Sequence, residues 1–219
     1  MDPSTMDVDG VPTVIRPMGE DYVAGDDPDE AGITYAVKCW PGRKVEGQWP
    51  NPQIAAYFRK VMAAYGTGAI MGWQERKLVG LLPFMPVNCG LPQMSFCVCA
   101  PAATQTPLER IIPARATPFA ELTPKALWVE CLSVNRNLYR KGIGSAMVRF
   151  LVDWATEQGW ERIEGRAFAS PDIDDAYRWI PSIEFWEKLG FSRTKEDSFD
   201  CGGPSPEPGF GFAIQLQRN

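Results

Sequence analysis

Between Tyr139 and Ala146 the chain reads Tyr139-Arg140-Lys141-Gly142-Ile143-Gly144-Ser145-Ala146, soon after the run Leu127-Trp128-Val129-Glu130-Cys131-Leu132-Ser133-Val134. A strand that enters a glycine-bearing turn and then a helix leaves main-chain N–H groups free at the helix start. Such groups bind anions, and glycine lets the backbone approach a phosphate that a Cβ would hold away. Arg140 and Lys141 add positive charge at the same place. The segment lacks the third glycine of a dinucleotide fingerprint and the Gly-Lys-Ser/Thr of a P-loop. On these residues alone, a phosphate-binding turn and a helix start with two glycines for packing fit equally well. The chain contains no histidine, so imidazole serves as neither base, acid nor metal ligand. Proton transfer falls to carboxylate, Tyr, Cys, Lys or water.

A second segment narrows the choice. Phe185-Trp186-Glu187-Lys188-Leu189-Gly190-Phe191 is similar to the second signature of the GNAT superfamily of acyl-CoA N-acyltransferases, a helix ending in aromatic-aromatic-x-x-x-Gly-Phe. Arg140 to Ala146 resembles that superfamily's acyl-CoA pyrophosphate loop. Two such motifs in the right order, a helix and a strand apart, coincide by chance far less often than either one. The resemblance is strongest over about residues 126 to 195 and departs from the family pattern at two positions. Tyr139 stands three residues before Gly142, where Arg or Gln is usual, and Arg140 comes one place later. Trp186 occupies the position of the tyrosine that protonates the leaving thiolate in many members, and an indole N–H is no acid at neutral pH.

The resemblance implies an α/β fold (an α+β mixed sheet) with a splayed central strand, and acetyl-CoA as co-substrate. It places the cofactor on Leu132, Val134, Tyr139, Arg140, Lys141, Gly142, Ile143, Gly144, Ser145, Phe185 and Lys188. Leu132 and Val134 would hold the pantetheine arm, and the Leu132 amide would polarise the thioester carbonyl, an oxyanion-type role. Glu130 is the candidate general base. On an uninterrupted strand Trp128, Glu130, Leu132 and Val134 share one face, so this carboxylate sits among apolar neighbours that raise its pKa. A carboxylate paired with an arginine, or one that only binds the amine, fits as well. Tyr177 and Tyr139 are the candidate acids by residue type, with Cys131 and Ser133 on the other face by parity. Asp172, Asp174 and Asp175, with Trp40, Trp49, Trp73 and Trp179, are further candidates for an acceptor pocket, although solvated loops and core packing are their commoner uses.

The elements that must position these residues can be read in outline. Residues 1 to 10 read as a flexible acidic tail, frayed at the end of the chain, and residues 11 to 219 as one GNAT-like domain. A short strand is expected at Val14 to Arg16, and a solvated loop over the acid-rich stretch Asp21 to Gly32. A helix is expected over Pro52 to Tyr65, capped by Asn51 and ended by Gly66, with Ile54, Tyr57, Phe58, Val61, Met62 and Tyr65 on its buried face. Ala69 to Gln74 and Leu78 to Val87 read as a hairpin, and Pro83 and Pro86 suggest an irregular or edge second strand. Met94 to Cys99 suits an extended segment within a long excursion. Then come a strand at Ala126 to Val134, a helix from Gly142 to Gln158 closed by Gly159, and a strand at Arg162 to Phe168. A helix at Pro181 to Leu189 closed by Gly190 precedes strands at Phe191 to Asp197 and Phe210 to Gln217.

Bulk properties trim the function classes. Six scattered cysteines, with Cys97-x-Cys99 the only close pair, favour free thiols over a disulfide framework and argue against a metal site. A net charge of -5 argues against a nucleic-acid partner and suits a cationic amine. No apolar run approaches the roughly 20 residues that span a bilayer, and no export signal opens the chain, so no membrane partner and a cytoplasmic setting are expected. The reading is an N-acetyltransferase acting on a primary amine, small molecule or peptide, with a homodimer left open. Its rivals are a non-catalytic acyl-CoA-binding sensor or scaffold, and a nucleotide-binding α/β protein unrelated to acyl transfer.

Overall fold

In the computed structural model, residues 1–20, 52–91, 115–129, 131–168, 181–199 and 207–217 are described. The chain opens with a hairpin, β1 (Ser4–Val8) and β2 (Val11–Pro17), in which Val8 pairs with Val11 across Asp9-Gly10. Both turn residues have positive φ, 54° and 81°, as a two-residue turn matched to strand twist requires. Residues 4–8, expected as a frayed tail, are therefore a strand, with Val8 buried in the core. Helix α1 (Pro52–Tyr65) follows and stops at Gly66, whose φ is 89° and whose N–H donates to the Met62 carbonyl at 2.8 Å. Phe58, Val61 and Tyr65 are buried from it, while the side chains of Ile54 and Tyr57 lie outside the described residues, as do Asn51, Asp21 to Gly32 and Met94 to Cys99.

Strands β3 (Ala69–Gln74) and β4 (Lys77–Pro86) make the second hairpin. Then come β5 (Ala126–Val129), β6 (Ser133–Val134), helix α2 (Ile143–Glu157), β7 (Arg162–Phe168), helix α3 (Ile183–Lys188), β8 (Ser192–Phe199) and β9 (Glu207–Gln215). The sheet runs β1-β2-β3-β4-β5-β7-β9-β8, with β6 beside β4. Among these neighbours only β5 and β7 are parallel. Glycines end both later helices as expected, Gly159 after α2 and Gly190 after α3, at φ 82° and 85°. Such positive φ is the usual stop for a helix.

Strand β4 is central, which corrects the expectation of an edge strand. The Phe84 N–H donates to Gly68 on the β3 side, and the Val87 N–H to Ala126 on the β5 side. By alternation, the missing donor of Pro83 faces β5/β6, and that of Pro86 faces β3 beyond its last paired residue, Ala69. Each proline sits where the ladder is already interrupted, which is how a central strand tolerates it. Under the sheet, Ile15, Ile70, Leu78, Leu82, Leu127, Met147, Leu151 and Ile163 form part of one core, each at most 1% exposed. Side chains of that size contribute about 1.5–3 kcal/mol each on burial. Among the described residues no helix is long and apolar enough to cross a membrane, which says nothing of membrane-spanning strands.

Candidate functional site

The expected single strand from Ala126 to Val134 is broken in two. Phe84 faces Val129 and Leu81 faces Ser133, so two residues on β4 oppose three on its partner. That is a β-bulge, and an odd insertion resets which side chains face which way. The expectation that Trp128, Leu132 and Val134 share a face is thereby overturned. Val134 pairs with Gly80, where an added Cβ would meet Met147 and Ile143 of α2. Leu132 lies under α2 as well, its Cδ2 3.0 Å from where a Cβ on Gly144 would sit. Trp128 takes the reverse face, beside Glu164, with the Arg166 guanidinium 4.9 Å from its ring centre. On that face Arg162 and Glu164 form an ion pair.

The bulge also opens the sheet. β5 and β7 pair only from Ala126–Arg162 to Trp128–Glu164, yet β7 runs on to Phe168 while β6 pairs with β4 alone. A gap between neighbouring strands results, with the buried Leu132 (8% exposed) at its inner end. The Leu132 N–H has no acceptor among the described residues.

From this gap the chain turns into α2. Asn135 donates its N–H to the Val79 carbonyl and accepts from Asn137 N–H through its side chain, at 2.9 and 3.0 Å. This ties a short 3-10 turn, Arg136–Leu138, to β4. Arg140 follows at φ 63° and Gly142, the cap of α2, at φ 89°. The Lys141 N–H is taken by the Leu138 carbonyl at 3.3 Å, and the first helical bond runs from Ala146 to Gly142 at 2.9 Å. The amides of Arg140, Gly142, Ile143, Gly144 and Ser145 have no acceptor among the described residues. Four consecutive donors at the start of a 15-residue helix meet the physical requirement for holding a diphosphate. The glycines divide the labour. Gly142 supplies the left-handed bend, and Gly144 lets α2 close on Leu132 and Phe185, whose ring lies 3.7 Å from the added Cβ. The packing reading thus holds for Gly144, while Gly142 serves the bend.

Of the expected cofactor set, the structure brings Leu132, Val134, Gly144 and Phe185 around the gap and Tyr139 to Ser145 around the bend. Lys188 is exposed on α3, where its charge helps lower the pKa of Glu184, behind hydrogen bonds from the Glu184 amide and Ser182. Among the described residues no hydrogen bond or ion pair joins Lys188 to the bend. Glu130 and Tyr177 lie outside the described residues, with Trp40, Trp49, Trp179, Asp172, Asp174 and Asp175. Trp73 is half-buried on β3 under the Arg16 guanidinium. Trp186 is 1% exposed and donates its Nε1–H to the Arg166 carbonyl at 2.7 Å. It packs where Gly165 lacks a Cβ, which would lie 2.9 Å from Cζ2. The residue at the tyrosine position is therefore a core anchor. Asp9, whose Oδ1 lies 3.0 Å from Lys141 Nζ, was not anticipated. Asp9-Gly10 is itself a hairpin signal, but nothing local ties it to a residue so distant in sequence.

No curated protein matches the chain by sequence. Solved structures do match by fold. The ribosomal-protein-S18-alanine N-acetyltransferase from Escherichia coli aligns over 94% of this chain and 96% of its own, at 13% identity and TM-score 0.51. yncA from Salmonella typhimurium, solved with its cofactor acetyl-CoA, aligns over 94% and 95%, at 13% and 0.55. An N-acetyltransferase from Staphylococcus aureus Mu50 aligns over 94% and 99%, at 13% and 0.51. At such identities the likeness speaks for the fold alone. The sequence profile of the acetyltransferase (GNAT) family matches residues 39–191, a span that includes the opened strand, the bend and the second aromatic signature. That match takes in more than two thirds of the chain, which accordingly belongs to the acetyltransferase (GNAT) family.

Proposed function

We propose that this chain is an N-acetyltransferase that takes the acetyl group of acetyl-CoA and passes it directly to a primary amine. The row of unclaimed amides from Gly142 to Ser145, beside a strand edge left open by the bulge, carries the reading. In this scheme the diphosphate rests on the amides around Arg140 to Ser145, with Arg140 and Lys141 adding charge and Tyr139 and Phe185 flanking it. The pantetheine arm pairs along Leu132 and Val134. The Leu132 N–H polarises the thioester carbonyl, where it gains strength as negative charge develops on oxygen. Glu130 takes the proton of the ammonium acceptor, directly or through water, and the free amine attacks the carbonyl carbon. The thioester C–S bond breaks, the attacking nitrogen gives its surplus proton to solvent, and the thiolate leaves, protonated by Tyr177, which solvent reprotonates, or by solvent directly, since a thiol pKa of about 8.5 needs little help. Lys188 is assigned to the outer part of the cofactor. An amine acceptor is supported by the N-acetyltransferases that share the fold.

A second reading has an observation of its own. Trp186 is fixed in the core through Arg166 and is no acid, which suits a domain that binds acyl-CoA without turnover. Incubation with acetyl-CoA and a panel of polyamines, amino acids, peptides and aminoglycosides, with products read by mass spectrometry, separates the two. Amine-dependent acetylation is expected, and Glu130→Gln should lower kcat about 10²-fold or more and abolish its acid limb, with CoA affinity kept. Thermal stabilisation by CoA with no product from any amine would favour the scaffold. No CoA binding at all would sink both.

A further inference from the structure

The two cations at the bend are in different situations. Arg140 is exposed, and among the described residues its side chain has no partner. Lys141 Nζ is held 3.0 Å from Asp9 Oδ1, although both side chains are about half exposed. Asp9 is held in place by its hairpin. Val8 pairs with Val11, the Gly10 N–H donates to Asp7 Oδ1 at 3.0 Å, and Val8 is anchored in the core. The same strand sets Met6 against the bend, its Cε 3.5 Å from the Cβ position of Gly142. The turn of the first hairpin therefore abuts the proposed diphosphate site and puts a carboxylate beside it.

A carboxylate there opposes a polyanionic ligand twice, by its own charge and by occupying a lysine that would otherwise meet phosphate. We propose that Asp9 is a positioning residue of the cofactor site: an internal counter-anion that holds Lys141 at the rim until a phosphate displaces it. Arg140 is then the resident cation, and Lys141 a second one released by exchange. This rests on the reading of the bend as a diphosphate site. It makes affinity depend on the ligand carrying enough negative charge to break the pair, a discrimination the amides alone do not provide.

Calorimetric titration of CoA into the wild-type protein, Asp9→Asn, Lys141→Met and the double variant tests it. Asparagine suits a φ of 54° at the first position of a two-residue hairpin turn, so the hairpin should persist; Asp9→Gly serves if it does not. At low ionic strength Asp9→Asn should bind CoA about three- to tenfold more tightly, a gain that shrinks as salt screens the charges. Lys141→Met should bind more weakly. In the Lys141→Met background, Asp9→Asn should gain at most about twofold, because no pair remains to be broken. Unchanged or weaker binding by Asp9→Asn and Asp9→Gly, or an equal gain with and without Lys141, would overturn the exchange. Failure of every protein, wild type included, to bind CoA would instead remove the diphosphate reading beneath it.

Discussion

At the scale of single residues, Gly142 does two things that substitution separates. Its φ of 89° costs any other L-residue about 1–2 kcal/mol, while a Cβ there would meet only the Met6 methyl at 3.5 Å. Gly142→Asn and Gly142→Asp therefore share the backbone penalty and nearly the same shape, and differ in charge. Both should lose about 1 kcal/mol in urea denaturation. Beyond that, Gly142→Asp should bind CoA at least about tenfold more weakly than Gly142→Asn, because each added like-charge contact costs about 1 kcal/mol even in water. Equal affinities would show that no phosphate approaches this position. The glycine bend was legible in the sequence because its chemistry is local: two glycines, two cations and a helix behind them. Leu132 and Phe185 were named only through family likeness, because what brings them together is the closure of α2 on the sheet at Gly144.

At the scale of elements, helix ends were easily read and strand register was not. Gly66, Gly159 and Gly190 stop their helices because positive φ is an intrinsic glycine property. The bulge between Val129 and Ser133 carries no glycine or proline in its own strand to mark it. Its signal lies on the partner, in Pro83, whose missing N–H faces the interruption. Strand β1 escaped for a similar reason, since Ser4-Thr5-Met6-Asp7 is polar and gains order from pairing with β2. The packing of α3 on β7 joins one large–small match, Trp186 on Gly165, to the Trp186 Nε1–H bond with the Arg166 carbonyl. Gly165→Ala should destabilise the fold by about 1–3 kcal/mol through overpacking, and should cost less in a Trp186→Phe background, where the ring atoms that meet the added methyl are gone. Chemical denaturation of the single and double variants would measure the coupling, and strict additivity would mean the two residues do not press on each other.

At the scale of the whole molecule, a buried phenol fastens α1 to the segment that leads into β5. Tyr65 Oη donates to the Thr117 carbonyl at 2.7 Å, and Thr117 N–H returns to the Cys89 carbonyl at 2.8 Å. Burial, with Cys89 nearby, pushes the Tyr65 pKa up to about 12 from 10.0, and burial raises the Cys89 thiol also. A group whose folded pKa is raised contributes its full stability below the unfolded value and loses it as pH climbs to the folded one. Stability should therefore fall between about pH 10 and 12, and Tyr65→Phe should flatten that fall while costing about 1 kcal/mol at neutral pH. Denaturation midpoints across that range decide it, and an unaltered slope would clear Tyr65. A broader consequence lies in Pro83. A proline cannot regain a donor, so the ladder between β4 and its bulged partner stays interrupted there, and the bulge that parts β6 from β7 is built in. Any guest that entered the gap between β6 and β7 would find the doorway standing ajar from the moment the chain folds, and would spend none of its binding free energy on forcing it.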